Sequence, residues 1–158
     1  MVFSYLKINK PAFFGLVYSG TLLIIATAFQ YYGKLIPCQM CLWQRWPHIV
    51  IVLFCLSIII SQKYFKTFVL LLIFLASTSS LIGLWHSGVE IGIFISPSGC
   101  SSLSSNPVET LKELLDKPVA GCDIVVWSFL DLSMTNWNTL LSLVETLIFI
   151  YLGLYKKD

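Results

Sequence analysis

A chain of 158 residues has room for a single domain. Its residues are 57% hydrophobic and only 11% charged, with a mean hydropathy of +0.83, whereas soluble domains carry about 25% charged residues. That excludes an ordinary soluble fold, and a formal net charge of +2 offers no basic surface for nucleic acid.

Crossing a bilayer as a helix takes about 20 mostly apolar residues. Four stretches meet that length: about 11–32, about 41–61, about 67–90 and about 137–155. The first has a basic leader and the triplet Ala26, Thr27, Ala28, the pattern of a cleaved signal peptide, but its apolar run is longer than the roughly 7–15 residues of such a segment, so it is expected to be a span. The expected fold is an all-α four-transmembrane-helix bundle formed by residues 1–158 as one membrane domain. Lys7, Lys10, Lys63, Lys66, Lys156 and Lys157 then fall on one face of the membrane. The positive-inside rule puts that face, with both termini, in the cytoplasm.

The opposite face receives a short loop, about 33–40, and a long one, about 91–136. Long loops without structure of their own are often functional. This one opens on "SPSGCSSLSSNP" and continues into "VETLKELLDKPVAGC". Val108, Leu111, Leu114 and Leu115 recur at helical spacing, with Asn106 as a candidate N-cap and Pro107 at a first helical position. A short amphipathic helix is expected there, lying on the membrane or covering the ends of the spans.

Four of the five cysteines fall in this outer region: Cys38 and Cys41 at the start of the second span, Cys100 and Cys122 in the long loop. Disulfides persist on the non-cytoplasmic side. Cys55 lies alone in mid-span, where free cysteine behaves as a small hydrophobe. A lone C-x-x-C is a weak signal, but its context strengthens it. Unsatisfied N–H groups at a helix start favour a thiolate at Cys41, and Arg45, one turn further on, adds positive charge. This favours thiol–disulfide exchange over a static clip, since closing so short a loop gains little. Zinc is disfavoured: 21 residues separate Cys100 from Cys122, and neither His48 nor His86 completes a second close-spaced ligand pair.

With "PCQMCLWQRW", "LWHSGVEIG", the Cys100–Cys122 loop and "CDIVVWSFLDLSMTNWN" leading into the last span, the chain resembles the DsbB family, quinone-dependent disulfide-forming proteins of the bacterial inner membrane. The resemblance runs from the first span to the fourth. It implies that Cys38 and Cys41 pass electrons to a membrane quinone, ubiquinone or menaquinone, and that Cys100 and Cys122 accept them from a periplasmic thioredoxin-fold oxidase of the DsbA type. It implies further that Arg45 lies near the quinone head group and that His86 has a weaker claim to the same site. "DLSMTNWN" departs from the commoner family wording, which has Gly before the Leu-Ser. In the family the partner attacks the cysteine matching Cys100, and Cys122 then attacks Cys38, leaving Cys41 as a thiolate.

Two other readings stand beside this one. A related redox enzyme could serve a dedicated different partner or be of the vitamin K epoxide reductase type, although a close cysteine pair preceding a wide pair favours DsbB. A metal-binding or structural membrane protein with static disulfides is the other. Glu90 at a span end is expected to be an exposed carboxylate rather than a proton relay. Glu145 inside the fourth span has either a function or hydrogen bonds within the bundle. The five tryptophans all fall near the outer face, as an aromatic belt does.

Overall fold

The computed structural model describes residues 9–59, 65–97 and 121–154. Four long helices carry the architecture: α1 (Lys10–Tyr31), α2 (Gln39–Ile58), α3 (Phe65–Glu90) and α4 (Met134–Leu154). Each is long and apolar enough to cross a membrane. Before α4 lies a hairpin of β1 (Ser128–Phe129) and β2 (Leu132–Ser133), paired antiparallel. The amphipathic helix expected around residues 107–117, and Cys100, lie outside the described residues.

Polar caps set the starts of two helices. α2 begins at Gln39, ahead of Cys41, because Cys38 is its N-cap and takes the Cys41 N–H on its sulfur. α4 begins at Met134, and the Asn136 N–H is taken by the Ser133 hydroxyl. α1 starts at Lys10 with Pro11 in its first turn, where a missing N–H costs nothing.

Three layers follow one another along the bundle. At one end Ala12, Ile51, Cys55, Phe68, Leu72 and Phe149 pack as an apolar core. Cys55 is fully buried in it, as a small hydrophobe would be. The middle layer is polar: Ser19, His48, Ser79, Ser142 and Glu145 are all buried. The far end holds Cys38, Met40, Val89 and Cys122, with Cys41 and Trp43 packed against them. The outward faces carry exposed Ile24, Leu53, Phe74, Leu81 and Leu147, the surface that lipid covers. α3 and α4 pack closely at Gly83, where a Cβ would collide with the Thr139 hydroxyl; small residues let membrane helices come this near.

In the hairpin turn, Leu130 and Asp131 both have positive φ, 51° and 60°. A two-residue turn of this hand suits strand twist and favours glycine. Asp131 here accepts a left-handed conformation that Gly adopts freely.

Candidate functional site

At the cysteine end, the start of α2, the end of α3 and the segment after Gly121 converge. The sulfurs of Cys38 and Cys41 are 2.9 Å apart, non-bonded, with both residues as free thiols. Cys38 accepts the Cys41 N–H at 3.2 Å, and His86 Nε2 stands 3.5 Å from its sulfur. The Cys38 thiol is held well below the ordinary thiol value. The main cause is the Cys41 thiol beside it. Burial opposes this, and the His86 contact and the Cys41 N–H add to it. The reduced pair therefore keeps its negative charge on Cys38. This corrects the expectation that Cys41 is the favoured thiolate: the N-cap residue, not the first-turn residue, receives the free helix N–H.

His86 is buried and held from several sides. Gln44 Nε2 lies 2.9 Å from its Nδ1; an amide N–H directed there leaves the ring proton on Nε2. That Nε2–H faces both Cys38 and the Cys122 carbonyl, the latter at 3.2 Å. Thr135 stands 3.2 Å from Nδ1 and donates to Glu90 at 2.8 Å. Ser133 donates to the other Glu90 oxygen at 2.6 Å. Glu90 is thus a partly buried acceptor that fixes the start of α4 against His86 and not the exposed helix-end carboxylate expected from sequence.

Cys122 is fully buried and disulfide-bonded. It shares a packed cluster with Cys38, and His86 joins its backbone to the Cys38 sulfur. One cysteine of the long loop is thereby brought to the close pair.

Cys41 borders two clefts. With Gln44, Arg45 and His48 it lines a cleft walled by Leu22, Leu23 and Ala26 of α1 and closed by Met134, Thr135 and Asn138 of α4. Arg45 donates to Gln30 Oε1 at 2.5 Å and to the Ala26 carbonyl at 3.2 Å. These bonds pin it to the C-terminal half of α1, where helix carbonyls favour a cation. A guanidinium has five N–H groups, so donors remain. Cys41 and Arg45 share this cleft as their helical spacing implies. His86 does not line it; it lines a second cleft with Cys38, Cys41, Glu90 and Trp127. An aromatic chain rims this end, from Phe29 through Trp127 and Phe129 to Trp137, with ring centroids 4.9–6.2 Å apart.

Sequence reasoning did not single out Gln44, Thr135 or Ser133, and it treated His48 only as a possible metal ligand. Gln44 lies three residues after Cys41, a helical spacing that places it on the same side of α2.

A family model described as "Disulfide bond formation protein DsbB" matches residues 9–152. The chain belongs to the DsbB family. It is 30% identical to the disulfide bond formation protein B of Pasteurella multocida (strain Pm70), over 92% of this chain and 86% of that protein. It is 28% identical to the uncharacterized protein RP370 of Rickettsia prowazekii (strain Madrid E), over 98% of this chain and 92% of that one. No solved structure matches. Membership carries the coarse function: the chain is a multi-pass membrane disulfide oxidoreductase of disulfide bond formation.

Proposed function

We propose that this protein re-oxidises a DsbA-like, thioredoxin-fold dithiol oxidase in the periplasm and passes the electrons to a quinone of the bacterial inner membrane. Both termini lie in the cytoplasm, because the lysine excess flanks that face. Cys100 and Cys122 form the pair that meets the partner; Cys38 and Cys41 form the pair that meets the quinone. The observation that carries this reading is the burial of Cys122 against Cys38, with His86 between them.

The steps conserve electrons. A partner thiolate attacks Cys100, and Cys122 leaves as a thiolate. The second partner thiolate then attacks the mixed disulfide, so the partner gains a disulfide and the loop becomes a dithiol. Cys122 next attacks Cys38, which shares its buried cluster, and Cys41 leaves into the cleft beside Arg45. The thiolate preference for Cys38 belongs to the fully reduced pair. Once Cys38 is bonded to Cys122 it no longer stabilises or competes with Cys41. Attack by Cys100 on Cys122 restores the loop disulfide and leaves the close pair reduced.

The cleft suits a quinone by the chemistry of its lining: apolar Leu22, Leu23 and Ala26 for a ring, and Arg45, Gln44 and Asn138 donors for carbonyl oxygens. When bound, a quinone supplies an acceptor for two electrons and two protons. Arg45 binds and orients the head group. His86 acts on the cysteines, holding Cys38 as a thiolate and keeping the Cys122 backbone in place.

Cys38, Cys41 and His86 place one ligand atom each within 4.8 Å of one another, the donor count of an open zinc site. Gln44 opposes a metal there, because the tautomer it selects presents N–H rather than a lone pair to the sulfurs. The experiment is purification of the full-length protein followed by dithiol oxidation with a soluble quinone and a reduced thioredoxin-fold partner. Catalytic quinone reduction that needs all four cysteines supports the reading. Metal retention by the reduced protein without quinone reduction overturns it.

A further inference from the structure

Glu145 is fully buried within a membrane-spanning helix. An acid in that position is costly and marks a functional site unless its partners satisfy it. One oxygen accepts from Ser19 at 2.6 Å; the other has no hydrogen bond and lies 3.3 Å from His48 Nδ1. His48 is equally buried, with Nε2 at 3.0 Å from Ser79 and 3.2 Å from Ser142. Serine hydroxyls both donate and accept, so they can pass a proton. Asn138 bonds Ser79, and both His48 and Asn138 line the cleft that holds Cys41 and Arg45. A histidine–carboxylate pair thus sits one layer below the close cysteine pair, connected to its cleft.

We propose that His48 and Glu145 form an intramembrane proton store for the cleft beside Cys41. The pair takes up a proton released as the close pair is oxidised and returns it to the acceptor oxygen in the cleft. This rests on the quinone reading above. Closing the disulfide from the Cys38 thiolate and the Cys41 thiol releases two electrons and the Cys41 proton. Reduction of a quinone to the quinol consumes both electrons, that proton and a second one, equal to the proton Cys38 gave up when the pair was reduced. The store ends each cycle as it began. His48 accepts and yields the proton, and Glu145 balances the imidazolium charge that would otherwise stand unpaired in a dry site. The titratable groups facing the pair are Tyr18 from α1, Cys55 and Arg45 from α2, and His86 from α3 across Gln44; α4 supplies Glu145 itself. Tyr18 donates to the Leu141 carbonyl and Cys55 is packed in the apolar core, so the paired imidazole and carboxylate are the groups set to exchange a proton with the cleft.

Two readouts on the full-length protein test this. Electrochemical redox-difference infrared spectra, recorded with a soluble quinone, should contain a carboxyl signal from a dry site. It should shift on isotopic labelling of glutamate, vanish in Glu145→Gln and move in His48→Gln. In stopped-flow reduction of the same quinone, Glu145→Gln should be about 100-fold slower, because the His48 acid–base group loses the carboxylate that balances its imidazolium. Its rate should fall as pH rises, because the proton must then come from solvent, while the native rate stays level across neutral pH. Thiol exchange with the partner should be unchanged, and Glu145→Asp should recover most of the rate. A native spectrum without a glutamate signal overturns the proposal even if the variants do not fold. An unchanged pH profile in a folded Glu145→Gln protein overturns it too. Failure of the native protein to reduce quinone would instead sink the quinone reading.

Discussion

Replacing His86 by leucine removes the Nε2–H that stands 3.5 Å from the Cys38 sulfur while leaving the Cys41 contacts in place. A hydrogen bond to a charged group is worth about 1.5–3 kcal/mol, and about 1.36 kcal/mol corresponds to one pH unit. A contact this long belongs at the lower end, so the Cys38 ionisation midpoint should rise by about one pH unit. It should still lie below that of an ordinary thiol, since the Cys41 thiol is the larger cause. The assay is the pH dependence of alkylation in the fully reduced protein, with the modified cysteine located by fragment-ion mapping. In the native protein Cys38 should react well below the pH at which a free cysteine does. The sign for stability follows. A depressed thiol value stabilises the reduced fold fully above the unfolded-chain value, and the contribution is lost as pH falls through the depressed one. Equal midpoints for Cys38 in native and His86→Leu protein would remove His86 from the cysteine chemistry. Alkylation of Cys41 ahead of Cys38 would refute the N-cap argument itself.

Arg45→Ala removes the bonds to Gln30 and Ala26 and the only cation lining the Cys41 cleft among the described residues. The KM for a soluble quinone analogue should rise about tenfold, the loss of one charge-assisted hydrogen bond, with both cysteine pairs still able to form disulfides. Asp131→Gly should stabilise the protein by about 0.5–1 kcal/mol, relief of a left-handed backbone partly offset by unfolded-chain entropy, measured as a rise in Tm in detergent. Cys122→Ser should form a stable mixed disulfide between Cys100 and a single-cysteine partner activated as its aryl disulfide, the aryl thiol leaving, seen as a band of summed mass on non-reducing electrophoresis. A stronger band from Cys100→Ser would reverse the roles within that pair.

The four helices were legible because the bilayer demands long apolar runs, and hydropathy reads those directly. Their starts were less legible. Cys38 and Ser133 cap α2 and α4 from outside the apolar stretches, and hydropathy is blind to a cap. The cysteine pairs and Arg45 could be picked out from spacing and chain position. The pairing of Gln44 with His86 and of His48 with Glu145 could not. These helices are apolar nearly all round, so no stripe marks which face turns inward. In the middle layer the inward faces are built from Ser19, Ser79 and Ser142 rather than from large apolar residues, the inverse of a soluble core. Assignment of the thiolate to Cys41 failed for the same reason as the α2 boundary: moving the helix start ahead of Cys41 makes Cys38 the residue that receives the free N–H.

The direct test of the relay between the two pairs is the Cys41→Ser variant, isolated without reductant and mapped by mass spectrometry. With Cys41 gone, the Cys38 thiolate should attack Cys122 of the loop disulfide, release Cys100 as a thiol and hold a Cys38–Cys122 disulfide that nothing resolves. That species as the main form is the predicted result. A Cys38 that stays free beside an intact loop disulfide, or that joins Cys100 instead, would contradict the account.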